Sequence, residues 1–474
     1  MSKRFARALL PTALAAAFSP AAWSTNGMNM EGYGPIASAM GGAGFAYDNG
    51  TAAMMNNPAT LGLMPSGDRL DIFFGFLGPD VEAEAGGQVA QSDGTAYAMP
   101  AAGWVRKNNG LTYGIGVYGQ GGMGTEYDAA SFLGNPAAGV GIQSNLENRT
   151  ELSVGRVILP LAFDVNERLV IGGSLDFVWA GLDLKMAMSG AQFTDLVTTR
   201  NFGTAGDDGT GLVSTFNGFV GSGAITRVDY AYFDFSNGSD FTGQARGYGY
   251  AGKLGAVFRV NDRLSVGATY HSETRLSDMK TSGADVSFGV EMMGAAQSIP
   301  VSGEVRVRDF QWPEIYGIGA AWQASDNWFF TGDIKRIEWA GTMDSFDMSF
   351  TADAVQGDPR AAAFAGRGMD VSLFQRWDDQ VVYQFGGAWR WSPKLTLRAG
   401  ANLSDNPVPN TYLNALFPAI VEEHYTAGFG YRFNRAQGID FSLQYAPEVE
   451  ETSGGGVISR HSQTSFQFLY SHRF

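Results

Sequence analysis

The last third of this chain alternates between apolar and polar side chains, and this alternation limits the fold more than any other feature. In the run 439–445, apolar residues alternate with Asp440, Ser442 and Gln444. A period of two residues is typical of β-strands whose faces meet different surroundings. The runs 395–403 and 425–433 repeat the pattern. Successive strands of this kind predict a barrel with lipid outside and a polar lumen inside.

The connections between the predicted strands alternate in length. Short polar turns lie at 107–110, 165–168, 261–263, 324–327, 392–394 and 434–438. Long segments lie at 78–95, 121–146, 185–245, 276–298, 338–379, 404–423 and 446–461. Short turns at one end and long loops at the other are typical of outer-membrane barrels. The sequence therefore predicts an all-β fold, a transmembrane antiparallel β-barrel of about 14 strands over residues 67–474. This count treats 298–323 as one long strand with a bulge.

The N-terminus has the features of an export signal. Lys3, Arg4 and Arg7 precede an apolar stretch, and Ala22-Trp23-Ser24 resembles a cleavage site. We expect residues 1–24 to be a signal peptide that directs the protein to the bacterial outer membrane. The formal charge of −15 becomes −15 − 3 = −18 without those three basic residues. So acidic a chain is not expected to bind nucleic acid, because phosphate neutralisation needs a basic surface.

Residues 25–66 lack any regular period and are rich in glycine, which favours a compact irregular fold in a confined space. We expect this segment to be a hatch, or plug, within the lumen. The run 38–44 (SAMGGAG) followed by Asn57-Pro58-Ala59 resembles the hatch of the FadL/OmpP1/TodX family of outer-membrane transporters of hydrophobic compounds. Further similarity lies in the run 111–117 (LTYGIGV), in Trp312-Pro313-Glu314, in the run 395–400 (LTLRAG) and in the terminal Phe474.

The resemblance implies a 14-stranded barrel that carries out passive uptake of long-chain fatty acids or related hydrophobic molecules. Ligand would be captured in an apolar groove between extracellular loops and pass to a pocket beside the hatch. It would leave sideways where the third strand kinks inward near Asn57, Pro58 and Ala59. Gly114 and Gly116 are our candidates for the kink, because glycine costs least where backbone leaves the pleat. The alternative is that both are simply small residues facing the lumen.

The longest loops contain many apolar residues, which is unusual for exposed segments unless they pack together or collect an apolar ligand. We expect the segments 185–245 and 276–298 to form the capture surface. Its candidate residues are Phe193, Phe202, Phe216, Phe219, Phe288, Met292 and Met293. Packing of the loops against one another is a compatible alternative.

Phe474 ends an aromatic, alternating last strand and resembles the signal that is read by the outer-membrane assembly machinery. The four histidines, at positions 271, 424, 461 and 472, show no metal-ligand spacing, and no catalytic constellation is evident. We therefore expect no enzyme activity, no metal and no cofactor. The expected partners are a hydrophobic substrate, membrane lipid and lipopolysaccharide, and the expected state is a monomer. The alternatives are a transporter of aromatic or alkane hydrocarbons, a surface adhesin or receptor, an outer-membrane enzyme, and a general porin.

Overall fold

The computed structural model describes residues 26–238 and 243–474. The predicted signal peptide, 1–24, lies outside the described residues and stays a prediction. The strands are β1 (Gly67–Leu77), β2 (Pro79–Ala85), β3 (Gln88–Gln91), β4 (Tyr97–Asn108), β5 (Leu111–Tyr127), β6 (Asn148–Asp164), β7 (Leu169–Ser189), β8 (Gly203–Asp207), β9 (Ile225–Phe235), β10 (Ala245–Asn261), β11 (Leu264–His271), β12 (Arg275–Leu276), β13 (Met279–Met292), β14 (Ala295–Arg308), β15 (Ile315–Gln323), β16 (Trp328–Ile337), β17 (Ser345–Ala352), β18 (Gly368–Phe374), β19 (Gln380–Arg390), β20 (Leu395–Ser404), β21 (Glu423–Arg432), β22 (Gln437–Thr452) and β23 (Ile458–Arg473). The helices are α1 (Pro35–Ser38), α2 (Gly190–Val197) and α3 (Leu212–Gly221), and short 3-10 helices span Thr51–Met54, Pro58–Leu63, Ala138–Val140, Trp339–Gly341, Pro359–Phe364 and Asn410–Tyr412.

Antiparallel pairs join these strands into a closed all-β barrel of 16 strands. The circuit runs through β1, β4, β5, β6, β7, β9, β13, β10, β11, β15, β16, β19, β20, β21, β22 and β23, and β23 pairs with β1. The count differs from the expected 14 because β9 and β13 lie in the segments 185–245 and 276–298, which we had interpreted as loops. β9 and β13 lie between β7 and β10 only at the loop end of the barrel. Along the rest of their length, β7 and β10 pair directly with each other.

The prediction of one long strand over 298–323 is wrong. The segment forms two strands, β14 and β15, with an unpaired stretch around Trp312 and Pro313 between them. β14 pairs with β13 and β17, whereas β15 pairs with β11 and β16. The proline lacks an N–H donor, so the two ladders separate there instead of continuing through a bulge.

The N-terminal segment, defined as residues 26–66, is buried along nearly all its length. Inward-facing side chains of several wall strands bind its backbone. Asp333 on β16 accepts hydrogen bonds from the backbone N–H groups of Gly44 and Phe45, at 2.6 and 2.9 Å. Thr426 on β21 accepts the N–H of Gly41 at 2.9 Å. Polar lumen residues thus satisfy backbone groups that have no strand partner, as buried N–H and C=O groups require.

Inward-facing glycines leave the space that this segment fills. A Cβ atom added at Gly255 would collide with the side chain of Asn57, one at Gly267 with the backbone of Phe45, and one at Gly386 with Met40. The same holds for further glycines around the wall, namely Gly103, Gly116, Gly172, Gly317, Gly400 and Gly428. We call these positions the inward glycines. They account for much of the glycine on the polar face of the strands.

The outward face carries exposed apolar side chains, including Ile72, Leu254 and Ile318. Close to the short turns at 324–327 and 392–394, Trp389 stacks on Trp328, with ring centroids 5.5 Å apart. Such aromatic groups typically mark the boundary between lipid and water in a membrane barrel. The polar-in, apolar-out pattern of the sequence is therefore present in the structure.

Candidate ligand cavity and wall gap

The wall of the barrel has a gap between β4 and β5. Their ladder ends at the pair Ala102–Val117, so residues 97–101 of β4 pair with β1 but not with β5. On the loop side, an isolated bridge between Ser92 and Tyr127 bounds the gap, together with a hydrogen bond of 2.7 Å from the N–H of Asp93 to the carbonyl of Glu126. Between these two limits no residue of β4 pairs with β5.

A β-bulge in β5 lies at the same level. The register of β5 on β6 shifts between Gly119 and Gly121, which leaves Gln120 between two paired positions. Gly121 bridges to Asn29 of the N-terminal segment, and the N–H of Gly122 donates to the carbonyl of Met28 at 3.1 Å. A Cβ atom at Gly121 would collide with that same carbonyl, so only glycine permits this approach. The bulge turns the strand toward the segment.

Gly114 and Gly116, our candidates for the kink, lie before the register shift. Gly116 keeps its pairs with β4 and β6, and a Cβ atom there would collide with Met54. A Cβ atom at Gly114 would collide with the carbonyl of Trp104 on β4. The run 119–124 (GQGGMG) was the sequence signal for the bulge, since it places glycines at consecutive positions of one strand.

A cavity of about 340 Å³ lies beside the gap. Its walls come from residues 27–31 of the N-terminal segment, from β4 and β5 on both sides of the gap, and from β6, β7 and β23. The apolar lining includes Met28, Met30, Met99, Met123, Val154 and Trp179. The acidic residues Glu31 and Glu151 also line it, and within the part of the chain that the structure describes it has no lysine or arginine in its lining. This is the size and character of a site for a small, mainly apolar molecule.

The two acidic residues differ in their surroundings, since Glu151 has a close ion-pair partner and Glu31 is buried. Glu151 forms an ion pair of 2.6 Å with Arg149. Glu31 belongs to the N-terminal segment, and burial raises the pKa of its carboxyl to about 7, although the charge of Lys335 opposes this rise. The backbone carbonyl of Glu31 accepts hydrogen bonds from Gln384 at 2.6 Å and Asn402 at 3.2 Å. The strand wall thus fixes Glu31 at the cavity.

His461 lines the cavity from the other side. It lies on β23, where alternate residues face inward, and its Nδ1 is 2.8 Å from the carbonyl oxygen of Pro418 in the segment between β20 and β21. Sequence reasoning treated this histidine as one of four scattered ones. No sequence signal reveals it, because the contact joins two segments that are 43 residues apart.

Comparison with known proteins identifies the family. Residues 11–467 match the family described as "Outer membrane protein transport protein (OMPP1/FadL/TodX)". The chain belongs to this family. The crystal structure of the Pseudomonas putida toluene transporter TodX superposes with a TM-score of 0.80 at 29% identity, over 94% of this chain and 99% of that one. The Ralstonia pickettii toluene transporter TbuX superposes with a TM-score of 0.73 at 27% identity, over 94% of this chain and 99% of that one.

A Chlorobium limicola protein, named as an uncharacterized protein in the phosphoenolpyruvate carboxykinase gene 5′ region, is 53% identical over 76 residues, which are 16% of this chain and 37% of that protein. The chain spans less than half the length of the curated relatives that it matches.

Membership of the OMPP1/FadL/TodX family makes this an outer-membrane transport protein for hydrophobic compounds, and the family is one of channels rather than enzymes. Along residues 26–238 and 243–474, no helix has the length and hydropathy to span a membrane. No group of three or more potential metal ligands is present in these ranges either.

In this OMPP1/FadL/TodX family member, the Asn57-Pro58-Ala59 corner contacts β7, β10 and β11. The Asn57 side-chain amide donates to the carbonyl of Phe45 at 2.8 Å and lies 3.3 Å from the carbonyls of Ala256 and Ala268. Its side-chain oxygen accepts the N–H of Ala59 at 3.0 Å and so caps the 3-10 helix that starts at Pro58. The corner therefore fastens the N-terminal segment to the wall away from the gap.

The structure brings some of the predicted loop residues together and leaves others apart. Phe193, Phe216 and Phe288 are buried and in mutual ring contact, with centroids 4.7 to 5.7 Å apart. Phe219 contacts Phe364, which sequence reasoning did not select. These aromatic residues form a core between the loops. The remaining candidates are Met292, which is partly buried, Phe202, which is 41% exposed, and Met293, which is 96% exposed.

A more polar groove of about 570 Å³ lies beside this loop core. Thr194 and Asp195 of α2, Val220 of α3 and Arg227 of β9 line it. Hydrogen bonds from the hydroxyl of Thr199 and then from the N–H group of Phe202, among others, lower the pKa of Asp195. The groove is therefore a charged surface at neutral pH, in contrast to the buried rings next to it.

Proposed function

We propose that this protein carries out passive uptake of small, uncharged hydrophobic molecules across the bacterial outer membrane, with sideways release into the lipid. The observation that carries the proposal is the position of the cavity beside the gap between β4 and β5. A molecule that leaves through this gap reaches the hydrocarbon of the bilayer without crossing water. Partition into lipid is itself favourable, so no energy source is needed.

The substrate class follows from the charges of the cavity. A fatty acid would bring a carboxylate to a lining that contains, among the described residues, no lysine or arginine, and in which Glu151 already occupies Arg149 as its ion-pair partner. Burial of a carboxylate without a counter-charge is unfavourable in a partly dry site. TodX and TbuX are named as toluene transporters. Both observations favour monoaromatic molecules over the long-chain fatty acids that we first expected.

The N-terminal segment would act as the plug of the barrel. Its burial, its hydrogen bonds to Asp333 and Thr426, and the inward glycines support this role. The loop core of Phe193, Phe216 and Phe288 would hold the outer surface in shape, and ligand would first meet the exposed side chains around it, such as Phe202. Asn57, Pro58 and Ala59 would keep the plug in place while ligand passes through the gap between β4 and β5.

Filling the gap tests the proposal. A Cβ atom at Gly119 would meet only the sulfur of Met99, at 3.9 Å, so the first carbon of a side chain does not collide with the wall there. We expect Gly119→Leu to lower the uptake rate of radiolabelled toluene toward that of cells that lack the protein. Gly139→Leu, at an exposed position where a Cβ atom would meet nothing, is the matched control and should transport normally. Normal uptake by correctly assembled Gly119→Leu protein would contradict sideways release.

A further inference from the structure

Three basic residues lie directly opposite one another on neighbouring strands of the barrel. Arg246 on β10 pairs with Lys280 on β13, and Lys280 pairs with Arg306 on β14. All three residues are exposed. We call them the basic row, which extends about 10 Å across the strands. Like charges that face each other across a sheet are destabilising, so an anion bound to the row would relieve their repulsion.

The chain supplies little negative charge to the basic row. In the ranges that the structure describes, the one carboxylate in ion-pair contact with it is Glu304, 2.6 Å from Arg306. The Nε of Arg246 donates to the carbonyl of Gly243 at 3.0 Å, which is a neutral partner. With Glu304 included, the row has a net charge of 3 − 1 = +2 on a chain whose formal charge is −15. An anionic partner is therefore expected at this place.

The basic row lies at the loop end of the lipid-facing surface. The face of β10 that carries Arg246 also carries Tyr248, Tyr250, Leu254 and Phe258, which are 42 to 65% exposed. From residue 248 to residue 258, a strand tilted by about 45° rises about 24 Å, close to the height of the apolar band of a membrane barrel. Arg246 lies about 5 Å beyond this band, next to tyrosines of the kind that mark the lipid–water boundary. The row is thus at the level of the headgroups of the outer leaflet.

We propose that the basic row binds the phosphate groups of lipopolysaccharide in the outer leaflet. Guanidinium groups bind phosphate through two parallel hydrogen bonds, and the lysine adds a compact positive charge. A lipid-borne phosphate fits the position better than a free one, because the acyl chains of the same molecule would lie along Tyr248, Tyr250 and Leu254. The row is not part of the cavity lining, so this interaction adds to the proposed uptake function without depending on it.

The test measures binding of diphosphoryl lipid A, the phosphorylated lipid part of lipopolysaccharide, to the purified, folded protein in an uncharged detergent. The variant Arg246→Gln/Lys280→Gln/Arg306→Gln removes the three charges at exposed positions. We expect its Kd for lipid A to rise about 10- to 100-fold, since each basic residue near an anionic lipid surface contributes about a factor of 5. Wild-type affinity should fall as the salt concentration rises, because salt screens exposed charges.

A matched control removes the same charge at the other end of the barrel. Arg168→Gln/Arg263→Gln/Arg435→Gln changes exposed residues at short turns and should bind lipid A as wild type does. The heat-modifiable band shows that each variant is folded, and Lys280→Gln alone, with an expected rise of about 5-fold, carries the test if the triple variant does not fold. Equal affinity of the row variant and the control would overturn the site. Displacement of lipid A by inorganic phosphate at an equal concentration of phosphate groups would show a small-anion site and overturn the lipid assignment.

Discussion

At the scale of single residues, Glu31 shows how the N-terminal segment and the wall share one buried charge. The segment places Glu31 at the cavity, and wall residues Gln384 and Asn402 bind its backbone carbonyl. Burial raises the pKa of Glu31 from 4.5 to about 7. The native state therefore holds this proton more tightly than the unfolded chain does. The stabilisation is fully present below pH 4.5 and is lost as the pH rises through about 7.

We expect Glu31→Gln to remove this part of the pH dependence. The measurement is the temperature at which the folded, heat-modifiable band disappears, taken at pH 5 and pH 8. Wild type should lose stability between the two values, and the variant should lose clearly less, because glutamine does not ionise. An equal loss in both proteins would show that Glu31 is not the group that titrates.

The sequence predicted those residues of the site whose role depends on local hydrogen bonds, and missed those whose role depends on contacts between distant segments. The turn at Asn57 and Pro58 was predictable, since an asparagine before a proline caps a helical turn through local hydrogen bonds. The glycines of the run 119–124 are a local signal for the bulge, but its register against β6 depends on pairing between strands. The position of His461 depends on a contact with Pro418, which no local pattern encodes.

At the scale of elements, β23 closes the barrel by pairing with β1 from Arg69–Arg473 to Phe76–Phe466. Phe474 continues this ladder, because its N–H donates to the carbonyl of Asp68 at 3.1 Å and its carbonyl accepts the N–H of Asp68 at 2.9 Å. Its side chain is exposed and contacts the ring of His472. The backbone of Phe474 therefore helps to close the barrel, and its side chain is available to an outside partner.

We expect Phe474→Ala to lower the amount of assembled protein in the outer membrane without changing transport per assembled molecule. The backbone pairs with Asp68 survive this substitution, so the effect would come from the lost ring and its recognition by the assembly machinery. Phe433→Ala, which removes an exposed ring next to a short turn, is the control. Normal assembly combined with reduced uptake would show instead that the ring of Phe474 serves transport rather than assembly.

Strand alternation predicted β20 to β23, because one apolar and one polar face fix both the period and the register. It failed for β9, β13 and β14, which lie largely in the loop-side region. There the strands pack on the loop core instead of facing lipid, so Phe233, Val286 and Val305 are buried and the lipid-facing pattern is absent.

At the scale of the whole molecule, the wall and the N-terminal segment fit each other through hydrogen bonds and through the inward glycines. We expect deletion of residues 26–66 to leave an open, polar channel and to make cells more permeable to small polar antibiotics. The measurement is antibiotic susceptibility, normalised to the amount of heat-modifiable barrel. Unchanged susceptibility with an assembled barrel would argue against a plug.

The inward glycines also limit how the protein can be built and altered. The segment contacts several strands of the barrel, and many of these contacts lie over glycines of the wall. In a hybrid whose N-terminal segment carries bulkier residues at positions 40, 45 or 57, those residues would collide with the wall strands. Exchange of the segment between relatives therefore requires matching changes at the inward glycines.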